Sequence, residues 1–137
     1  MKAINPYLNF AGNTEEAFNF YKSVFGGEFA MLQKFGEGNQ IPASVKDKVM
    51  HVSLPIGNNI LMGTDACEEM GFNVTQGNNF YICISPDSKE EADKLFNALA
   101  EGGKITMPLA KQFWGAKFGM LTDKYGIGWM LNHEEKK

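Results

Sequence analysis

The sequence predicts an α+β fold built from two βαβββ modules, and three observations carry that prediction. Two amphipathic stretches of helical period each end at a glycine pair, Gly26-Gly27 and Gly102-Gly103. Short apolar and aromatic runs with strand alternation precede and follow each stretch. The second half of the chain then repeats the first. A shift of 75 residues lays Glu15-Glu16-Ala17 on Glu90-Glu91-Ala92, Tyr21 on Phe96 and Val24 on Leu99. A shift of 76 lays Gly27 on Gly103, Phe29 on Ile105 and Met31 on Met107, and a shift of 69 lays Gly57 on Gly126 and Ile60-Leu61-Met62 on Trp129-Met130-Leu131. Neither module's sheet covers its own apolar face, so the pair reads as one domain over 1–137. Module one takes about 1–65, a connection about 66–77 and module two about 78–133.

In module one, Ile4 to Phe10 interleaves apolar residues with Asn5 and Asn9, a strand that Pro6 confines to an edge or a first position. Asn13 and Glu16 then offer a helix cap, and Ala17, Phe18, Tyr21, Val24 and Phe25 make one apolar face, predicting a helix over 14–25. Glu28 to Phe35 reads as the second strand, followed by a loop from Gly36 to Pro42 long enough to be mobile. Val49 to Pro55 sets Met50, Val52 and Leu54 against His51 and Ser53, and Gly57-Asn58-Asn59 turns it into a fourth strand at Ile60-Leu61-Met62.

Thr64 to Gly77 has no period and connects the halves. Phe80 to Ser85 is a nearly continuous apolar run, expected to be buried on both faces. Ser88 and Glu91 form a capping box for a second helix with Ala92, Leu95, Phe96 and Leu99 as its stripe. Ile105 to Leu109 is the next strand. Phe113 to Asn132 is a hairpin turning at Thr122 to Gly126, and His133 to Lys137 reads as a solvated tail.

Composition bounds the function. With 44% hydrophobic and 21% charged residues, the chain is an ordinary globular domain, and a net charge of -3 excludes a general phosphate-backbone binder, hence no nucleic acid. Cys67 and Cys83 lack the spacing of a zinc or redox motif, and two thiols without an apolar leader fit a reducing cytoplasm. No run approaches the ~18 apolar residues of a membrane span, so no membrane partner is expected.

The runs NPYLNF, EEAFNFYKSVFGGEF, VMHVSL, LMGTD, SPDSKEEADKLFNALAEGG and FWGAKFGMLTDKYGIGWMLN resemble the PhnB-like branch of the vicinal-oxygen-chelate superfamily. That superfamily includes glyoxalase I, extradiol dioxygenases and the bleomycin and fosfomycin resistance proteins, and the resemblance covers nearly the whole chain. It implies the glyoxalase/bleomycin resistance/dihydroxybiphenyl dioxygenase fold, in which the two modules form a cupped mixed β-sheet around a small-molecule pocket, commonly in a homodimer. The branch is often labelled 3-demethylubiquinone-9 3-methyltransferase-like. The chain carries no glycine-rich strand-to-helix turn followed by an acidic ribose ligand, as nucleotide-type cofactors use.

Metal-dependent members of the superfamily resemble one another in placing His or Glu ligands on the first and last strands of each module. The corresponding positions here are Asn5 or Tyr7, Leu61 or Met62, Phe80 or Tyr81, and Trp129 or Met130, none of them an ordinary ligand for a divalent metal. The expectation is therefore no metal ligand and no cofactor, with a divalent metal disfavoured. His51 is the catalytic candidate, as a general base or a hydrogen-bond donor, against the alternative of a structural histidine. Tyr7 and Asn9 join it as ligand-binding candidates on a shared strand face; the alternative leaves Asn5 and Asn9 in solvent with Tyr7 packed. Trp114 and Phe118 complete the ligand-binding set, Trp129 reads as core, and Asp65 and Asp123 read as turn formers. The expected partner is a small, partly apolar molecule. The alternatives are a metal-dependent lyase, isomerase or dioxygenase centred on His51, and a methyltransferase.

Overall fold

Leu8 and Phe10 are buried while Tyr7 and Asn9 are exposed, the alternation that makes β1 (Tyr7–Phe10) a strand with one apolar face. A computed structural model describes residues 1–36 and 41–134. The chain divides into two units, Met1–Thr75 and Gln76–Lys137.

In the first unit β1 is followed by α1 (Thr14–Phe25), β2 (Met31–Lys34), β3 (Val49–Ile56) and β4 (Asn59–Asp65). The sheet order is β1-β4-β3-β2, with β1 parallel to β4 and the other pairs antiparallel. The second strand is shorter than predicted, because Glu28 pairs with Lys22 at 3.0 Å and Phe29 lies under the same ammonium, tying that stretch to the helix. The predicted loop from Gly36 to Pro42 falls partly on residues 37–40, outside the described residues.

Helix α1 runs as the period predicts and buries Ala17, Phe18, Tyr21 and Val24 against the sheet. Each aromatic or branched side chain so buried is worth about 1.5–3 kcal/mol. Phe18 meets Phe10 and Tyr21 edge-on, with ring centroids 6.3 and 5.5 Å away. Gly63 of β4 lets it lie there, since a Cβ on Gly63 would stand 2.6 Å from the Phe18 ring.

Three expectations fail in this unit. Asn13 makes no side-chain cap bond. Asp65 takes over that task from the end of β4, so it is not a turn former. Its Oδ1 accepts from Gly12 N at 3.1 Å, Thr14 N at 2.9 Å and Thr14 Oγ1 at 2.6 Å, and its Oδ2 accepts from Val49 N at 2.7 Å. Met50 does not share the buried face of Val52 and Leu54. The ladder passes from Gln33 opposite His51 to Lys34 opposite Val49, so Met50 is the extra residue of a bulge and is exposed.

The second unit contains β5 (Ile82–Ile84), α2 (Lys89–Ala100), β6 (Lys104–Lys111), β7 (Ala116–Thr122) and β8 (Gly128–Glu134), with sheet order β5-β8-β7-β6. The capping box forms: Ser88 Oγ accepts from Glu91 N at 3.0 Å, and Glu91 Oε1 accepts from Asp87 N at 2.8 Å. The expectation that Phe80 to Ser85 is buried on both faces is wrong. Only three of those residues form strand, Ile82 and Ile84 are half-buried and Cys83 is exposed. Among the described residues β5 is an edge strand joined only to β8, whereas α2 packs against β6, β7 and β8. His133 is likewise no solvated tail residue; it belongs to β8 and its Nδ1 lies 3.0 Å from Pro86 O, while residues 135–137 fall outside the described residues.

Trp129 is core, 2% exposed, and its indole donates to Asp123 Oδ2 at 2.8 Å. Asp123 Oδ1 accepts from Tyr125 N and Ile127 N, which makes it the turn former expected. The shift of 69 between the modules needs correction here. It equates Leu61, buried under α1, with Met130, which is half-buried between the buried Trp129 and Leu131. An odd displacement exchanges the two faces of a strand, because side chains alternate with period two.

Candidate functional site

Among the described residues each sheet carries its own unit's α-helix on one face and no α-helix of that unit on the other. In the first sheet, register places Tyr7 opposite Met62, Met62 opposite Ser53 and Ser53 opposite Met31. The next row on that face holds Asn9 opposite Thr64 and Gln33 opposite His51. Residues in register share a face, so these side chains lie together opposite the α1 side.

Within that face Tyr7 Oη is 2.9 Å from His51 Nδ1, and the rings are 5.6 Å apart with a 36° tilt. Tyr7 remains 44% exposed and His51 is half-buried. When the imidazole proton is on Nε2, the phenol donates to Nδ1 and the pair offers an N–H to a ligand. When it is on Nδ1, the imidazole donates to the phenol, and Nε2 becomes an acceptor. The pair can therefore meet either a carbonyl or a hydroxyl group. Partial burial raises the Tyr7 pKa above its ordinary value.

Thr64 holds the neighbouring stretch of β3. Its Oγ1 donates to Met50 O at 2.7 Å, one residue before His51, just where the bulge interrupts the regular pairing. Sequence reasoning missed this residue and read Asp65 as a turn former. Thr64 follows Gly63 in the LMGTD run, but nothing local shows which backbone it will reach.

Asn9 is exposed on the same face as Tyr7. Asn5 is neither in the strand nor free in solvent; its Oδ1 accepts from Ile60 N at 3.2 Å. Trp114 and Phe118 come together in the second unit, with ring centroids 5.9 Å apart. Phe118 stands opposite Asn132 and Ala110, on the face of the second sheet away from α2. Trp114 is 53% exposed and meets Phe113 edge-on at 5.1 Å.

A cleft of about 450 Å³ lies elsewhere in the first unit, lined by Glu15, Glu16, Asp47, Lys48 and Asp65 among others. It includes neither Tyr7 nor His51. Lys48 Nζ there donates to Gly12 O at 3.0 Å, which ties the ammonium to the loop before α1. Among the described residues no three His, Cys, Asp or Glu side chains are placed to hold a metal ion together, and no helix is long and apolar enough to cross a membrane.

Comparison with known proteins fits this architecture. The family model described as 3-demethylubiquinone-9 3-methyltransferase matches residues 2–132. The crystal structure of protein PA1353 from Pseudomonas aeruginosa is 44% identical, with a TM-score of 0.86 over 97% of this chain and 98% of that one. The PhnB protein from Bacillus cereus is 31% identical, with a TM-score of 0.78 over 95% of this chain and 98% of that one. A glyoxalase/bleomycin resistance protein/dioxygenase family enzyme from Burkholderia phytofirmans PsJN shares the fold, at 22% identity and a TM-score of 0.64 over 97% of this chain and 100% of that one. With the duplicated βαβββ plan and these matches, the chain belongs to the 3-demethylubiquinone-9 3-methyltransferase family, in its PhnB-like branch with the glyoxalase/bleomycin resistance fold.

Proposed function

We propose that the helix-free face of the first sheet binds a small, partly apolar molecule, with the Tyr7–His51 pair holding its polar group. The observation that carries this reading is the 2.9 Å contact between Tyr7 Oη and His51 Nδ1 on a face that also bears Met31 and Met62. The thioether side chains supply an adaptable apolar bed and the pair supplies direction. Asn9 adds a polar contact beside Tyr7. Trp114 and Phe118 offer flat apolar area of the same use in the second unit. Binding proceeds without a divalent metal, a reading supported by the residues at the positions where the superfamily resemblance implies metal ligands, Asn5 or Tyr7, Leu61 or Met62, Phe80 or Tyr81 and Trp129 or Met130, none of which is an ordinary ligand. The working form is a cytoplasmic homodimer, and exposed Phe72 and Phe113 supply apolar surface for self-association.

The test is thermal unfolding of the full chain with a set of small phenols, quinones and hydroxy acids, and separately with Mn²⁺, Ni²⁺ and Zn²⁺. A ligand that binds the native state raises the midpoint. The expected result is stabilisation by at least one organic probe, lost in His51→Ala, and none by the metals. A His51→Ala protein that keeps every shift sinks the assignment of the site, and a metal-induced shift lost in the same variant favours the lyase, isomerase or dioxygenase alternative. The family description favours a second reading, methyl transfer to a phenolic oxygen. Calorimetric binding of S-adenosylmethionine decides for it, and its absence decides against.

A further inference from the structure

Three sulfur-bearing side chains stand in one row on the second sheet. Cys83 of β5 is in register with Met130 of β8, Met130 with Met120 of β7, and Met120 with Met107 of β6. Partners in register project from the same face, and neighbouring strands lie about 4.8 Å apart. Cys83, Met130 and Met120 therefore line one face of three adjacent strands with no other residue between them, whereas the ladder shifts on both sides of Met107, so its side chain is not counted with them. The alternate row, Ile82, Trp129 and Leu121, takes the α2 side, where Trp129 and Leu121 are buried. In the sulfur row Cys83 is exposed and Met120 and Met130 are half-buried. Cys83 is a free thiol. Packing under α2 accounts for the apolar residues of the other face, and an apolar ligand bed accounts for thioethers on this one, but neither accounts for a free thiol in register with them.

Thiolate and thioether sulfurs are soft donors that favour monovalent copper over the harder divalent ions served by imidazole and carboxylate. We infer that Cys83, Met130 and Met120 form a binding site for a soft monovalent cation, Cu(I) or Ag(I). On binding, the Cys83 S–H bond breaks and its proton goes to solvent. The thiolate and the thioethers of Met130 and Met120 each donate a lone pair, and the metal stays in the +1 state, so no oxidant or reductant takes part. An ordinary cysteine is mostly a thiol at neutral pH, so about one proton leaves per cation bound. Affinity consequently rises with pH.

The experiment titrates the reduced full chain, without oxygen, with Cu(I) in competition with a chromogenic Cu(I) chelator. The expected result is one tight site per chain, weakened about 100-fold in Cys83→Ser and at least about tenfold in Met120→Leu/Met130→Leu, which keeps the thiol and the side-chain volume. Cys67→Ser, which removes the other thiol, leaves the affinity unchanged. Circular dichroism establishes that each variant is folded. A double methionine variant that binds like the parent reduces the site to an ordinary thiol and overturns the inference. So does a parent chain that yields all its Cu(I) to the chelator, or a Cys67→Ser variant that loses the site.

Discussion

The phenol of Tyr7 and the imidazole of His51 meet at 2.9 Å although 44 residues separate them in the chain. They belong to β1 and β3, and β4 runs between those strands. Tyr7 lies level with Ser53 through Met62, and His51 is two residues from Ser53, so both side chains leave the same face and the long phenol spans the diagonal. Replacing Tyr7 by Phe removes the oxygen alone. The His51 ring nitrogens then change their ¹⁵N shifts, while stability falls by no more than about 1 kcal/mol, because the contact is partly exposed. Unmoved nitrogen shifts would show that the bond does not form in solution.

Alkaline pH provides a second view of the same residue. Burial raises the folded-state pKa of Tyr7 above its unfolded value. The resulting stability is fully present below the ordinary tyrosine pKa of about 10 and is lost as pH rises through the higher folded value, because the unfolded chain releases the proton first. Urea midpoints measured above and below that pH are expected to fall less steeply in Tyr7→Phe than in the parent. Equal slopes would mean that the phenol is not desolvated.

Gly63 is where the first sheet gives way to a helix. Its missing Cβ would fall 2.6 Å from the Phe18 ring and 3.2 Å from Leu8 O, and Phe18 is fully buried. Gly63→Ala is expected to cost about 1–3 kcal/mol in chemical unfolding, as overpacking does. Pairing it with Phe18→Leu should make the combined loss smaller than the sum of the single losses, since the shorter side chain relieves the clash.

Asp65→Ala withdraws the acceptor for Gly12 N, Thr14 N, Thr14 Oγ1 and Val49 N at once. Buried donors left without partners cost about 1–3 kcal/mol each, so a total loss of at least about 3 kcal/mol is expected. Hydrogen exchange should show the damage first at Thr14 and Val49. Protection unchanged at both amides would remove Asp65 from its role as the buttress of α1 and β3.

The two thiols should separate in an alkylation experiment. Cys83 is exposed, whereas Cys67 is 6% exposed. Burial raises both pKa values, and at Cys67 the carboxylates of Asp65 and Glu69 add to it against the opposing pull of Lys48. Iodoacetamide is therefore expected to label Cys83 first, slowly at neutral pH and faster as pH rises, because the thiolate is the reactive form. Faster labelling of Cys67 would contradict the packing around it.

By itself the sequence determined what short-range periodicity controls. The spacing of Ala17, Phe18, Tyr21 and Val24 specifies a helix and its buried stripe, Ser88 with Glu91 specifies a helix start, and the repeat specifies two like modules. Asp123 as a turn former and Trp129 as core were legible from their own neighbours, although the bond between them was not. Tertiary structure alone decided the partners of Tyr7, the reach of Asp65 back to Gly12 and to the start of β3, and the exposure of Cys83 on the apolar strand β5. Those outcomes depend on strand order and register. A bulge at Met50 or a one-residue slip in matching Leu61 to Met130 moves every following side chain to the other face, and no local signal in the chain records it.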